Sequence, residues 1–192
     1  KRALEFERQV LRPRLHASLL GLLRPPPPLT REIPHYKVLA RLNRLKVDYV
    51  LIGVLAINHY SDTPESIYFT QDCDVLLRPD LPNLRRAVRA VVAEGYSLEA
   101  GGEPLPPPDD LTLERILKHR ANIVSRKRAS LTVDLVLDAG GISFAKWKTG
   151  RRLFKAGTIR VPCASLRKLL LAKKRAGRKK DRAFLALYRA GL

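Results

Sequence analysis

The run FTQDCDVLLRPD, residues 69 to 80, constrains this chain more than any other stretch. It is apolar enough for a buried strand, yet it carries two carboxylates one residue apart. Side chains alternate faces along a strand, so Asp72 and Asp74 share one face while Cys73 and Val75 share the other. Like charges on one face repel unless a cation sits between them. A third carboxylate, Asp134, stands in LTVDLVL (131–137), flanked by Val and Leu, where an unpaired charge is costly. Three aspartates on neighbouring strands of one sheet make an oxygen cage suited to Mg²⁺ (or Mn²⁺). Such an ion takes hard carboxylate ligands and keeps positions for water and substrate phosphates. Two such ions can stabilise the attacking and leaving oxygens of a phosphoryl transfer.

The rest of the pattern alternates. It predicts a helix over about 34–45, a strand over 47–53, and a helical stretch opened by Gly53. After the aspartate strand comes a helix from about Pro82, where proline suits a first turn, to Gly95, a good stop. Residues 101–110 read as a stiff proline-rich loop. Segments 121–125 and 130–137 predict a hairpin joined by the basic turn 126–129, and 157–162 a further short strand. The last 30 residues predict two helices broken at 176–181. The expectation is a mixed α/β (α+β) domain: a central mixed sheet of about five strands flanked by helices, with a C-terminal helical part from about 164. Residues 1–24 place Leu4, Leu11, Leu15, Leu19 and Leu22 at roughly helical spacing until RPPPP (24–28) stops the helix. This gives an N-terminal arm and linker over 1–30 and the main domain over 31–192.

Charge sets the class of partner. The chain has 37 Lys and Arg against 18 Asp and Glu, formally +19 over 192 residues, which favours a polyanion. The same Arg-rich, Met-free composition also suits the surface of a protein from a hot or basic-proteome host. Basic residues crowd into 166–182, with smaller patches at 118–120, 126–128 and 146–152. Together they exceed what one nucleotide needs and fit a larger nucleic acid such as tRNA. Trp147, in the last patch, reads first as a packing residue. His16, His35, His59 and His119 share no metal-ligand spacing. Cys73 and Cys163 have apolar neighbours and read as core residues of a reducing compartment. No run approaches the roughly 20 apolar residues of a membrane span. With no signal peptide visible, the expected location is the cytoplasm.

Taken in order, YVLIGVLAINHY, TQDCDVLL, LTVDLVL and VPCASLRKLLLAKKRAGRKKDRAFLALY resemble the minimal nucleotidyltransferases of the DNA polymerase β superfamily. Within these they are most similar to the AbiEii/AbiGii toxin type of bacterial toxin–antitoxin systems, over roughly residues 34 to 190. The resemblance implies a nucleotidyltransferase-like fold and transfer of an NMP from an NTP. By position, Gly53 and Val54 match the loop that meets the triphosphate, and Asp72 and Asp74 match the metal-binding pair. Asp134 matches the third carboxylate, also a metal ligand, which positions or activates the acceptor hydroxyl. Lys173 matches a triphosphate lysine, with Arg178 among its neighbouring cations. Asp181 matches a further catalytic position, although an aspartate at a helix start also serves as a cap. The sequence departs from the pattern at Val54, where the family has Gly or Ser. It also lacks the arginine that precedes the aspartate pair.

Three functions follow as expectations. The first is Mg²⁺-dependent NMP transfer to a nucleic acid, with tRNA the preferred acceptor, by a toxin restrained by a protein antitoxin. The second keeps the chemistry and changes the acceptor, to a protein (AMPylating, antitoxin-type) or a small molecule. The third is a non-catalytic nucleic-acid-binding module on a degenerate nucleotidyltransferase fold.

Overall fold

The apolar runs become the central strands of one twisted sheet. The computed structural model describes residues 34–63, 66–127 and 131–189. The N-terminal arm over 1–30 lies outside the described residues. In chain order the elements are α1 (Pro34–Arg44), β1 (Tyr49–Ile52), α2 (Gly53–Asn58), β2 (Asp72–Leu77) and α3 (Leu81–Ala93). Then come β3 (Ser97–Ala100), β4 (Glu103–Leu105), α4 (Asp110–His119), β5 (Ile123–Lys127) and β6 (Leu131–Val136). The chain finishes with α5 (Phe144–Lys148), β7 (Arg152–Ala156), β8 (Ile159–Cys163), α6 (Leu166–Ala176) and α7 (Lys179–Arg189).

The strands pair in the order β4-β3-β5-β6-β2-β1-β8-β7. The β2–β6 and β1–β8 pairs are parallel and the others antiparallel. Strand alternation puts Cys73, Val75, Leu51, Val133, Leu135 and Cys163 into the core, and both cysteines are free thiols. Tyr36 of α1 lies near both thiols. α3 packs beside α1 and α4 beside α3. Elsewhere α2 packs on β1 and β2, α6 packs on α2, and α7 packs on α6. Phe184 and Tyr188 of α7 close on Tyr68.

The α/β class holds, but the described residues form eight strands where the sequence predicts about five. The additions are β3, β4 and β7. All are short, and two of them are edge strands whose stability comes from the partner strand rather than from their own composition. β4 even contains Pro104, which a sheet edge tolerates. Helix α4 also escapes the sequence reading. It begins where the proline-rich loop ends, capped by Asp109, whose side chain accepts from the Thr112 N–H at 2.8 Å. Trp147 is buried in α5 and its indole N–H donates to the Ala139 carbonyl at 3.2 Å, so its ring packs and does not face a ligand.

Candidate active site

The parallel ladder between β2 and β6 sets Asp74 beside Asp134 and Asp72 beside Thr132. Adjacent strands lie about 4.8 Å apart, so backbone pairing alone forces two carboxylates into proximity. Thr132 Oγ1 donates to Asp72 Oδ1 at 2.8 Å, and the Asp72 N–H donates to Thr70 Oγ1 at 3.2 Å. Oδ1 of Asp134 is buried without a hydrogen-bond partner. Burial, then the charges of Asp134 and Asp72, push the Asp74 carboxyl up to about 6 against the opposing pull of Lys173 and Lys180. Burial and Asp72 raise Asp134 as well, opposed by Arg126 and Lys180.

The β1–α2 junction fits around this pair. Gly53 has φ +73°, and a Cβ built on it would stand 1.9 Å from Asp74 Oδ2. Only glycine leaves that volume to the carboxylate. Val54, next to it, is partly buried and packs against the core.

The C-terminal helices bring the cations. Asp181, in the first turn of α7 and 1% exposed, accepts from Arg178 Nε at 2.6 Å and from Lys173 Nζ at 3.3 Å. Burial alone would raise its carboxyl, but the hydrogen bond from Arg178 and then the charge and hydrogen bond of Lys173 outweigh it. The carboxyl lies below the usual range. Arg178 is also within electrostatic reach of Asp74. The sequence-predicted residues therefore fall into two groups that face each other. One is the carboxylate row of Asp72, Asp74 and Asp134 with Gly53. The other is Lys173, Arg178 and Asp181.

Two participants were not singled out by sequence. Lys180 pulls on both Asp74 and Asp134; it is one of four basic residues within 178–182 and its neighbours look alike. Thr132 was findable, since it lies two residues before Asp134 and so shares its face.

Hard oxygen donors, an orphaned buried carboxylate oxygen and raised carboxyls are what a divalent cation relieves, so the donor set fits one. The side chains are not closed on a point: among the described residues no three His, Cys, Asp or Glu form a ready-made cage.

A pH dependence follows from Asp74. Between about pH 4 and 6 the folded state keeps a proton that the unfolded chain, with an ordinary value of 3.8, has released. Stability therefore falls as pH rises through that window. The loss is complete above 6, on the order of 3 kcal/mol. Asp74→Asn is expected to remove that slope and to be more stable than the parent at pH 7. Urea denaturation at a series of pH values checks it, and an unchanged slope would refute it.

No protein-family model matches this chain, and a search of curated proteins returns no significant match. No helix among the described residues is long and apolar enough to cross a membrane.

Proposed function

We propose that this protein is a divalent-metal-dependent nucleotidyltransferase, moving an NMP from an NTP to a nucleic acid acceptor, with tRNA the first candidate. The observation that carries the reading is the in-register pairing of Asp74 with Asp134 on parallel strands, against a bank of cations. A fold gains nothing in stability from two adjacent partly buried carboxylates; it keeps them for a ligand.

Asp72, Asp74 and Asp134 would hold Mg²⁺ or Mn²⁺. When bound, the ion neutralises charge developing on a transferring phosphoryl group. The chain's own residues do the rest. Lys173, Lys180 and Arg178 offer positive charge to the triphosphate and to the pyrophosphate that leaves. Asp181 orients Lys173 and Arg178 without touching substrate. Asp134 Oδ1, without a hydrogen-bond partner among the described residues, is free to accept one from an acceptor hydroxyl and so orient it. Arg126, exposed on β5 and within electrostatic reach of Asp134, adds positive charge beside the row for the acceptor. A net charge of +19 favours nucleic acid over a cationic small molecule as that acceptor. A role as a toxin held by an antitoxin rests on the family resemblance.

The test is transfer of label from each α-³²P nucleoside triphosphate, with Mg²⁺, into total RNA and total protein. The reading expects label in tRNA-sized RNA. It expects the Asp72→Ala, Asp74→Ala double variant to lose on the order of 10³-fold or more, matching the several kcal/mol that a metal supplies. Label in a protein band gives the acceptor as protein. A folded wild type that binds RNA and labels nothing refutes transfer and leaves the non-catalytic module.

A further inference from the structure

The sheet carries a second concentration of charge, away from the aspartate row. Between α1 and the β8–β7 edge lies an open cleft of about 910 Å³. Six cations line it: Lys37, Arg41 and Arg44 from α1, Lys148 from the end of α5, Arg151 from the turn before β7, and Arg160 from β8. Lys37, Arg41 and Arg44 follow a spacing of four and three, so they line up along one helix face. Tyr49 lies on the floor, at the end of β1 remote from Ile52, which pairs with Asp74. The cleft and the aspartate row therefore sit at opposite ends of the central strands.

The two acids in the wall are already committed. Asp48 takes Lys148 Nζ at 2.8 Å on both oxygens, and Glu94 takes Arg41. Lys37, Arg44, Arg151 and Arg160 are exposed, and none has an ion-pair partner among the described residues. Four cations uncompensated on three elements around one trough repel each other, and the fold accepts that cost. Neighbouring acids could have relieved it, as they do at Arg85–Asp110 and Arg126–Glu99.

We propose that this cleft is a binding site for the sugar–phosphate backbone of a nucleic acid, separate from the aspartate site. Cations repeated along a helix face match a linear array of phosphates better than one compact anion. Among the described residues no exposed aromatic ring lines the cleft: Tyr49 is buried, with its hydroxyl donating to Asn43 Oδ1 at 3.0 Å. The site has no stacking platform and reads charge and shape, not sequence. It goes beyond the transfer reading and does not depend on it.

Fluorescence anisotropy with 5′-fluorescein 30-mers of mixed sequence, one RNA and one DNA, tests this over a salt series. The Lys37→Gln, Arg44→Gln, Arg151→Gln, Arg160→Gln variant should bind about tenfold or more weakly near 0.1 M salt. The slope of log K against log salt should become shallower by about 3, at about 0.7 for each lost phosphate contact on a single strand. A charge-matched control outside every basic patch, Arg85→Gln, Arg89→Gln, Arg115→Gln, Arg189→Gln, should bind like wild type. Equal losses in the two variants would reduce the effect to net charge and overturn the site. So would binding that both variants retain. RNA and DNA should bind within about threefold of each other; a tenfold preference would mean that a sugar is read and overturns the backbone assignment. Displacement by polyglutamate as effective as by RNA would reassign the cleft to an acidic protein. Should the variant not fold, wild type cross-linked to 4-thiouridine RNA decides: adducts are expected within 37–49 and 148–160, and adducts elsewhere alone overturn the site. The Asp72→Asn, Asp74→Asn variant should bind RNA undiminished, which separates failure of this site from failure of the transfer reading.

Discussion

Asp181→Ala is expected to lose about 3–5 kcal/mol of stability, the scale found when one partner of a buried ion pair is removed. The carboxylate is 1% exposed and joins α6 to α7 through Lys173, which is itself only 15% exposed. Alanine would leave the Lys173 ammonium with the Phe184 ring, 4.5 Å from its Nζ, and the longer-range charge of Asp74 among the described residues. Arg178, at 62% exposed, can turn to water and adds little. Asp181→Asn keeps the shape and one hydrogen bond, so its cost should be roughly half. Lys173→Met in the alanine background should restore part of the loss, because the stranded charge is then gone. Guanidinium unfolding at pH 7 measures all three. A cost below about 1 kcal/mol for Asp181→Ala would mean that the two helices are held by their apolar faces alone. The sign with pH is opposite to that of Asp74. A carboxyl held below its ordinary value of 3.8 contributes stability that is present above that value and lost as pH falls through the lowered one.

Gly53→Ala is expected to cost about 2 kcal/mol or more and to disable whatever chemistry depends on Asp74. A left-handed backbone costs a non-glycine residue roughly 1–2 kcal/mol by itself. Beyond that, a Cβ 1.9 Å from Asp74 Oδ2 forces the carboxylate to move. Displacement of a reacting group by about 1 Å costs on the order of 10²-fold in rate. The two parts separate in a cycle: in an Asp74→Ala background the steric part vanishes and only the backbone cost stays. Urea titrations of the four proteins, with label transfer for the two that retain Asp74, give both numbers. Additive stabilities would show that the glycine and the carboxylate do not meet.

Much of this arrangement was legible in residues and spacing. Period-two alternation put Asp72 and Asp74 on one face, and the apolar flanks of Asp134 made it a strand residue. Neither feature fixed which strands are neighbours. The parallel β2–β6 register, which makes Asp74 and Asp134 adjacent, is a product of long-range assembly with no local signature. Gly53 was legible as the end of a strand; that its missing side chain makes room for Asp74 was not, because the partner lies on a neighbouring strand whose register has no local signature. The run GRKKD read as a basic helix start, but nothing in it distinguishes Lys180, which reaches the carboxylates, from Lys179 beside it. β3, β4 and β7 were missed for a related reason: short edge segments take their conformation from the strand they join. Asp109 was the exception, a capping signal that was present and overlooked.

The parallel pairing of β2 with β6 has a kinetic corollary. Parallel neighbours cannot be joined by a tight turn, and here the crossover consists of α3, β3, β4, α4 and β5. Asp74 and Asp134 meet only once that whole insert has been made and folded, so the charge repulsion between them arises late, after most apolar burial is in place. During synthesis the nascent chain exposes Asp72 and Asp74 without their third partner and without the cations of α6 and α7, which emerge later than β6.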